Sequence, residues 1–214
     1  MCGRFGLLSP SEISERFALV AQLSFDARYN ATPTQRMPVV IEDGVRKVEA
    51  MRWGYEPRWL KEKPGGKPLI NARADKLTSA PTFRDALRDH RVIIPASHYV
   101  EWKRDGNRKT PYVFRLKDGG LFGFAGLWFE EGGERRFVVI TTDPNDLTSP
   151  IHNRMPAMLL REYEDEWLDP DQSEMDRLTS LLGPYPAGEM EAYAVSARIN
   201  SAGNDSADLL DRVA

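Results

Sequence analysis

The stretch that decides the fold is Arg91–Thr142, RVIIPASHYVEWKRDGNRKTPYVFRLKDGGLFGFAGLWFEEGGERRFVVITT. It contains five β-rich runs, which are separated by short turns such as DGN, DGG and EGG. Strands joined by short glycine turns pair in antiparallel fashion. This stretch therefore predicts a largely antiparallel sheet.

Further elements flank this stretch on both sides. Ser9-Pro10-Ser11-Glu12 is a capping-box pattern with proline at the first helical position, and it predicts a helix with Ile13, Phe17 and Val20 on its inner face. In chain order the other predictions are a hairpin around Asp43-Gly44, an exposed basic loop with aromatic residues over Trp53–Pro68, a helix over 80–90 with Phe83 and Leu87 inward, a strand at 157–160, a helix at Ser173–Leu182 and a strand at Ala192–Ser196. No repeat or linker divides the chain. We expect an α+β fold, a single mixed domain over residues 1–214 with a strongly curved, barrel-like sheet and flanking helices.

Composition excludes several classes of protein. One cysteine in 214 residues cannot form an internal disulfide or supply a cysteine-rich zinc site, so we expect no metal and no cofactor. No run approaches the ~18 apolar residues of a membrane span, and the start MCGRFGLLSP lacks the layout of a signal peptide. These features predict a cytoplasmic protein that does not engage membranes.

The net charge of −3 conceals two halves of opposite sign. Residues 1–118 carry 22 Lys and Arg against 14 Asp and Glu, a net +8, and residues 119–214 carry 7 against 18, a net −11. A basic half is compatible with nucleic-acid binding, which depends on neutralising phosphates. Eight carboxylates fall within Glu162–Asp176 with no Lys or Arg, and we expect this stretch to be a solvated helix face and loop.

Cys2 is the candidate nucleophile. Chain ends are seldom buried, and removal of the initiator methionine before so small a residue would give Cys2 an α-amine next to its thiol. Both groups have reference pKa values near 8, so both are partly nucleophilic near neutral pH. Such a pair condenses with an aldehyde to an imine and then to a five-membered thiazolidine. Acyl transfer by the thiol is the alternative chemistry.

Acid and base candidates are few because the chain has three histidines. His152 lies in the proline-bracketed segment PIHNRMP and is either structural or catalytic. Glu101 lies in the strand HYVEWK, where alternation places it on the face opposite Val100 and Trp102; it suits proton transfer or a cross-strand ion pair. Asn71 and Arg73 lie two residues apart in INARAD, on one side of the chain if it is extended.

Five motifs occur in order: MCGR at the start, WGxxPxW at Trp53–Trp59, INARAD at Ile70–Asp75, EW at Glu101-Trp102 and IHNRMP at Ile151–Pro156. Together they resemble the SRAP (SOS response-associated peptidase) family, over nearly the whole chain. The resemblance implies an abasic-site processing protein that binds single-stranded DNA or a strand junction. Such a protein traps the ring-opened aldehyde of an abasic site as a thiazolidine with its terminal cysteine, with lyase and crosslink-reversal activities beside it.

The resemblance also implies a role for each site residue. Cys2 would be the nucleophile, Asn71 would hold it and the sugar oxygen, Glu101 would move protons, and His152 would assist opening of the sugar ring. The DNA contacts would be Arg4, Arg73 and Arg154 at phosphates and Pro33, Trp59 and Leu60 at the flanking bases, where stacking is worth ~1–3 kcal/mol per base.

Two other functions use the same residues. A thiol peptidase would take Cys2 as nucleophile, His152 as base and Asn71 as the group that orients the base. A non-catalytic single-strand binding module would explain the basic, tryptophan-bearing loop but would leave Cys2 without a purpose. We expect a monomer in each case.

Overall fold

The computed structural model of the chain describes residues 2–19, 24–62 and 64–213. The strands are β1 (Phe5–Leu7), β2 (Arg28–Ala31), β3 (Arg36–Glu42), β4 (Arg46–Trp53), β5 (Asn71–Arg73), β6 (Arg91–Ala96), β7 (His98–Asp105), β8 (Arg108–Leu116), β9 (Phe122–Glu131), β10 (Glu134–Thr142), β11 (Met155–Pro156) and β12 (Met190–Ala194). The helices are α1 (Ile13–Arg16), α2 (Arg58–Lys61), α3 (Pro81–Asp89), α4 (Arg161–Leu168) and α5 (Met175–Ser180). None of these helices has the length and apolar content needed to cross a membrane.

Five strands close into a barrel in the order β10-β4-β3-β6-β9, and β9 pairs back onto β10. The β4–β10 pair is parallel and the other four pairs are antiparallel, as the turn-rich sequence predicts. Closure brings β9 very near its neighbours at Gly126. A Cβ there would lie 2.3 Å from the Ile94 side chain and 2.8 Å from the Val138 carbonyl oxygen, so only glycine fits. The expected α+β fold with a barrel-like sheet is confirmed.

A second, antiparallel sheet packs beside the barrel in the order β12-β8-β7-β1-β2. The chain crosses from the barrel to this sheet at Ser97, between β6 and β7. The Ser97 amide donates to the Gly6 carbonyl (2.8 Å), and its hydroxyl accepts from the Leu8 amide (2.9 Å). This crossing fixes the first strand against both sheets.

Trp53 is the centre of the core between the two sheets. Its ring lies 5.0 Å from Phe5 and stacks on Phe137 at 6.2 Å, and its indole N–H donates to the Ile70 carbonyl (2.9 Å). The prediction of an exposed loop over Trp53–Pro68 is therefore wrong at Trp53, and it is also wrong where the segment forms α2. Because the indole finds a carbonyl partner, complete burial costs it no unsatisfied donor.

The capping-box helix is shorter than predicted. Pro10–Glu12 forms a 3-10 turn, α1 ends at Arg16, and Ser9 makes no side-chain capping bond. Val20, predicted on its inner face, lies outside the described residues. The predicted strand at 157–160 is also displaced, since strand pairing occurs at Met155–Pro156 and continues only as a single bridge from Met158 to Phe124.

The acidic stretch contains a helix, α4, that packs against β6. Glu164 is buried there in a bidentate pair with Arg16, with both oxygens 2.7 Å from guanidinium nitrogens. The expectation of a solvated acidic face is thus wrong for Glu164. A charge taken out of water needs a paired, hydrogen-bonded partner, and α1 supplies it from 148 residues away.

His98, at the start of β7, is a structural histidine. It is fully buried, its Nε2 lies 3.0 Å from the Tyr29 carbonyl oxygen, and a Cβ on Gly6 would lie only 2.1 Å from its ring. Burial lowers the pKa of His98 to about 4. The neutral ring donates its Nε2 proton to the carbonyl.

Stability should consequently fall as the pH drops from 6.5 to 4. The unfolded chain takes up a proton at His98 near pH 6.5 while the folded chain does so only near pH 4, so protonation favours unfolding by about 3 kcal/mol at the lower limit. In His98→Gln, which keeps a donor for Tyr29, the free energy of unfolding should change less over this window. Urea denaturation at several pH values measures the difference, and identical pH dependence in the two proteins would contradict it.

A candidate active site around Cys2

The pairing of β1 with β7 brings Cys2 to the site. Phe5 lies opposite Tyr99, and the Arg4 carbonyl accepts from the Val100 amide (3.0 Å). When this antiparallel register is extended by two residues toward the N-terminus, the start of the chain lies alongside Glu101. Cys2 is completely buried, contrary to the expectation for a residue so near the chain end, because β1 lies between two other strands.

Burial determines the protonation state of the Cys2 thiol. Removal from water raises its pKa far above the ordinary value, and the nearby Glu101 charge raises it further. The Sγ lies 3.7 Å from the Arg4 carbonyl oxygen, to which the thiol donates. At neutral pH the group is therefore a thiol, and it needs a proton acceptor before it can act as a nucleophile.

Asn71 holds the backbone of Cys2. It begins β5, which runs parallel to β10, and its side-chain N–H donates to the Cys2 carbonyl (2.9 Å). Its Oδ1 is buried and has no hydrogen-bond partner among the residues that the structure describes. A buried acceptor left in this state favours a donor from outside the described chain.

Glu101 and His152 lie together beside Cys2. Glu101 is 2% exposed, and its Oε2 lies 3.8 Å from His152 Nε2. The predicted alternation along β7 holds, since Val100 packs into a separate cluster with Val113 and Tyr193. His152 Nδ1 lies 3.1 Å from both the amide nitrogen and the carbonyl oxygen of Arg154. When the amide donates to Nδ1, the proton of the neutral ring is on Nε2 and faces Glu101.

The Glu101–His152 pair opens onto a cleft of about 560 Å³, whose other walls are Trp102, Arg104, Lys109 and Asn200. Asn200 fixes this wall, because its Oδ1 accepts from the Trp102 indole (2.7 Å) and its carbonyl accepts from Arg4 (2.9 Å). Arg104, Lys109 and Asn200 are functional-site candidates that the sequence patterns did not predict. Successive side chains of β7 alternate between its two faces, so Arg104 shares a face with Trp102, and this signal could have identified it.

A second, largely apolar groove of about 460 Å³ adjoins Asn71 and Arg73. Trp59 on α2 borders it and is 46% exposed, a large value for so apolar a side chain. Pro33 and Leu60 are half-buried and line neither the groove nor the cleft. Pro33 occupies a turn in which Thr34 has a φ of 77°, a conformation that β-branched residues rarely adopt.

The three candidate phosphate-binding arginines differ in their partners. Arg73 is exposed and makes a bidentate pair with Asp75, with two bonds of 2.8 Å. Arg154 is mostly buried, donates to the hydroxyl and carbonyl of Thr141, and has Nη1 3.8 Å from Asp75 Oδ1. Burial lowers the pKa of Arg4 and of Arg154. Asp75 thus lies between two of the three guanidinium groups.

The structure therefore brings Cys2, Asn71, Glu101 and His152 to one place and Arg73 and Trp59 to the adjoining groove. Within the described ranges, no group of three or more His, Cys, Asp or Glu side chains is arranged to hold a metal ion.

Comparisons with known proteins agree with the family resemblance that the sequence motifs indicate. The model of the SOS response associated peptidase (SRAP) family matches residues 1–202. The abasic site processing protein YoaM of Bacillus subtilis is 42% identical over 99% of this chain and 98% of its own length, and YedK of Escherichia coli, also named an abasic site processing protein, is 29% identical over the whole of both chains. A crystal structure of a Bacteroides thetaiotaomicron protein superposes with a TM-score of 0.85 at 28% identity, over all of both chains.

Proposed function

The chain belongs to the SOS response associated peptidase family, and on that premise we propose that it processes abasic sites in single-stranded DNA by forming a covalent crosslink through Cys2. The observation that carries the proposal is the position of Cys2. It lies between an amide that fixes its backbone and a carboxylate–imidazole pair that opens onto a cleft.

The first step is imine formation. Once Met1 is removed, the Cys2 α-amine attacks the C1′ aldehyde of the ring-opened sugar, and water leaves. In the preceding ring opening, the bond from C1′ to the ring oxygen breaks, His152 Nε2 supplies a proton to the ring oxygen, and the C1′ hydroxyl releases its proton to solvent; Glu101 Oε2 lies 3.8 Å from this nitrogen. Asn71 Oδ1, which has no partner among the described residues, accepts from the amine or from a sugar hydroxyl, while Nδ2 keeps the Cys2 carbonyl in place.

The second step is ring closure. Glu101 takes the thiol proton, the Cys2 sulfur attacks the imine carbon, and the imine nitrogen receives a proton. Over both steps, the aldehyde and the aminothiol react to give a thiazolidine and one molecule of water. The raised pKa of the Cys2 thiol supports imine formation before ring closure, because the amine can react while the thiol is still protonated. β-Elimination from the imine is the competing branch and cleaves the strand.

The DNA strand meets cations and aromatic side chains around this centre. Arg4, Arg73 and Arg154 neutralise phosphates near the lesion, and Trp59 in the apolar groove stacks on a flanking base, with Pro33 and Leu60 as further base contacts.

The protein acts in the cytoplasm as a monomer, and it is on the nucleoid when it is bound to DNA. The thiol-peptidase alternative would need a base for the same Cys2 thiol, so a covalent adduct with an abasic site is what separates the two functions.

Removal of the sulfur tests the proposal. In Cys2→Ala the amine remains, so the stable adduct should disappear while some strand scission at the abasic site persists. Intact mass after incubation with an oligonucleotide bearing one abasic site should equal, for the unmodified protein, the chain without Met1 plus DNA minus one water. A tag fused to the N-terminus is the control that blocks the amine. A heat-stable adduct formed by the tagged protein would contradict the mechanism.

Glu101→Gln should slow ring closure about a hundredfold, the scale of lost general acid–base catalysis, and leave affinity for DNA unchanged. Raising the pH should recover part of the rate, since hydroxide then removes the thiol proton that Glu101 no longer accepts. Quenched time courses on denaturing gels measure the rate, and fluorescence anisotropy measures affinity. Glu130→Gln removes an exposed carboxylate elsewhere and serves as the control. An unchanged rate in Glu101→Gln would assign Glu101 a structural role only.

Asp75→Asn should tighten binding of single-stranded DNA several-fold at low salt. Asp75 competes with phosphate for Arg73, and an exposed ion pair is worth only about 0–1 kcal/mol, so a phosphate can displace it. Asp89→Asn is a matched control, because the Arg88–Asp89 pair is equally exposed and lies on α3. Anisotropy titrations compare the two variants. Weaker binding by Asp75→Asn would indicate instead that Asp75 holds Arg73 in its binding position.

A further inference from the structure

The β7–β8 hairpin extends beyond the Glu101–His152 pair and ends in a tip of unusual charge. The segment Lys103–Lys109, here called the basic tip, has the sequence KRDGNRK, with four cations and one carboxylate. Its two-residue turn is Gly106-Asn107, where Gly106 has a φ of 56°. The tip thus carries a net charge of +3 on seven residues next to the cleft.

The four cations of the basic tip make no ion pair or hydrogen bond with a carboxylate in the described part of the chain. The cations of the β3–β4 hairpin, in contrast, are paired with carboxylates. Arg46 pairs with Glu42 and Asp165. Lys47 pairs with Asp43 and Glu49. The turn of the basic tip does contain Asp105, opposite Arg108 in register, yet the two form no ion pair. Cations without such partners have no ion pair within the described residues to lose when they bind an external anion.

Arg104 and Lys109 lie directly opposite each other across the strands, so their side chains share one face. Like charges in this position repel each other and destabilise a sheet. The same two side chains line the cleft that contains Glu101 and His152. An anion on this face would remove the repulsion, and Trp102, two residues before Arg104 on the same face, adds an aromatic surface between the pair and the site.

We propose that the basic tip is a second phosphate-binding site, which holds the backbone of the DNA strand on one side of the abasic nucleotide after the strand leaves the cleft. Arg104 and Lys109 bind phosphate, and Lys103 and Arg108 extend the positive surface to the turn. The proposal rests on the proposed function for the identity of the strand in the cleft. It adds a contact surface to that function.

The test is the double variant Arg104→Gln/Lys109→Gln. Each lost phosphate contact lowers the slope of log K against log salt by about 0.7 for single-stranded DNA, so the slope should fall by about 1.4. The half-saturating protein concentration for crosslinking should rise much more than the rate at saturation falls. Removing nucleotides from one flank of the oligonucleotide, but not from the other, should abolish the difference between variant and wild type.

The control is Arg46→Gln/Lys47→Gln, which removes the same charge from the other hairpin, where both cations are paired. Its salt slope should match that of the wild type. Asp105→Asn provides a change in the opposite direction, since removal of the one carboxylate from the basic tip should tighten binding. A gain of affinity cannot arise from partial unfolding.

The outcomes separate the two proposals. If the wild type forms no adduct, the proposed function fails, and affinity for undamaged single strands still reports on the basic tip. If the wild type crosslinks but Arg104→Gln/Lys109→Gln keeps its affinity and salt slope, the basic tip is not a phosphate site. An equal loss in Arg46→Gln/Lys47→Gln would mean that net charge alone governs binding, which would also overturn the proposal.

Discussion

The packing of Phe5 against Trp53 and Phe124 is the contact on which the rest of this structure depends. Phe5 belongs to a three-residue strand between β7 and β2, and its ring lies 5.0 Å from Trp53 and 5.8 Å from Phe124. Burial of an aromatic ring of this size stabilises the folded state by a free energy several times the thermal energy. The contact joins the barrel to the second sheet and at the same time fixes the beginning of the chain.

The geometry of the candidate site follows from that anchoring. Because β1 is fixed in register with β7, the residues before it lie beside Glu101, and Asn71 reaches the Cys2 carbonyl from β5. Three elements that are far apart in sequence thereby meet at one residue. A mobile chain end would have to be ordered at every encounter with DNA, whereas this one is ordered by the fold.

Local signals predicted much of the fold, and long-range contacts account for what they missed. The Asp43-Gly44 hairpin and the strands from β6 to β10 depend on turn residues and β-rich runs, which the sequence displays directly. The burial of Trp53 and the Arg16–Glu164 pair depend on partners up to 148 residues away, which no local pattern specifies. For the site, the motifs predicted Cys2, Asn71, Glu101 and His152, and the structure brings these four together. The burial of Cys2 was not predictable, because it results from the position of β1 within its sheet.

That burial has a further consequence for the life of the protein in the cell. Oxidants attack thiolates that are exposed to solvent, and a buried thiol with a raised pKa reacts with them slowly. The fold therefore acts as a protecting group: under the proposed function, it keeps the Cys2 thiol in reduced form until an abasic site reaches the cleft.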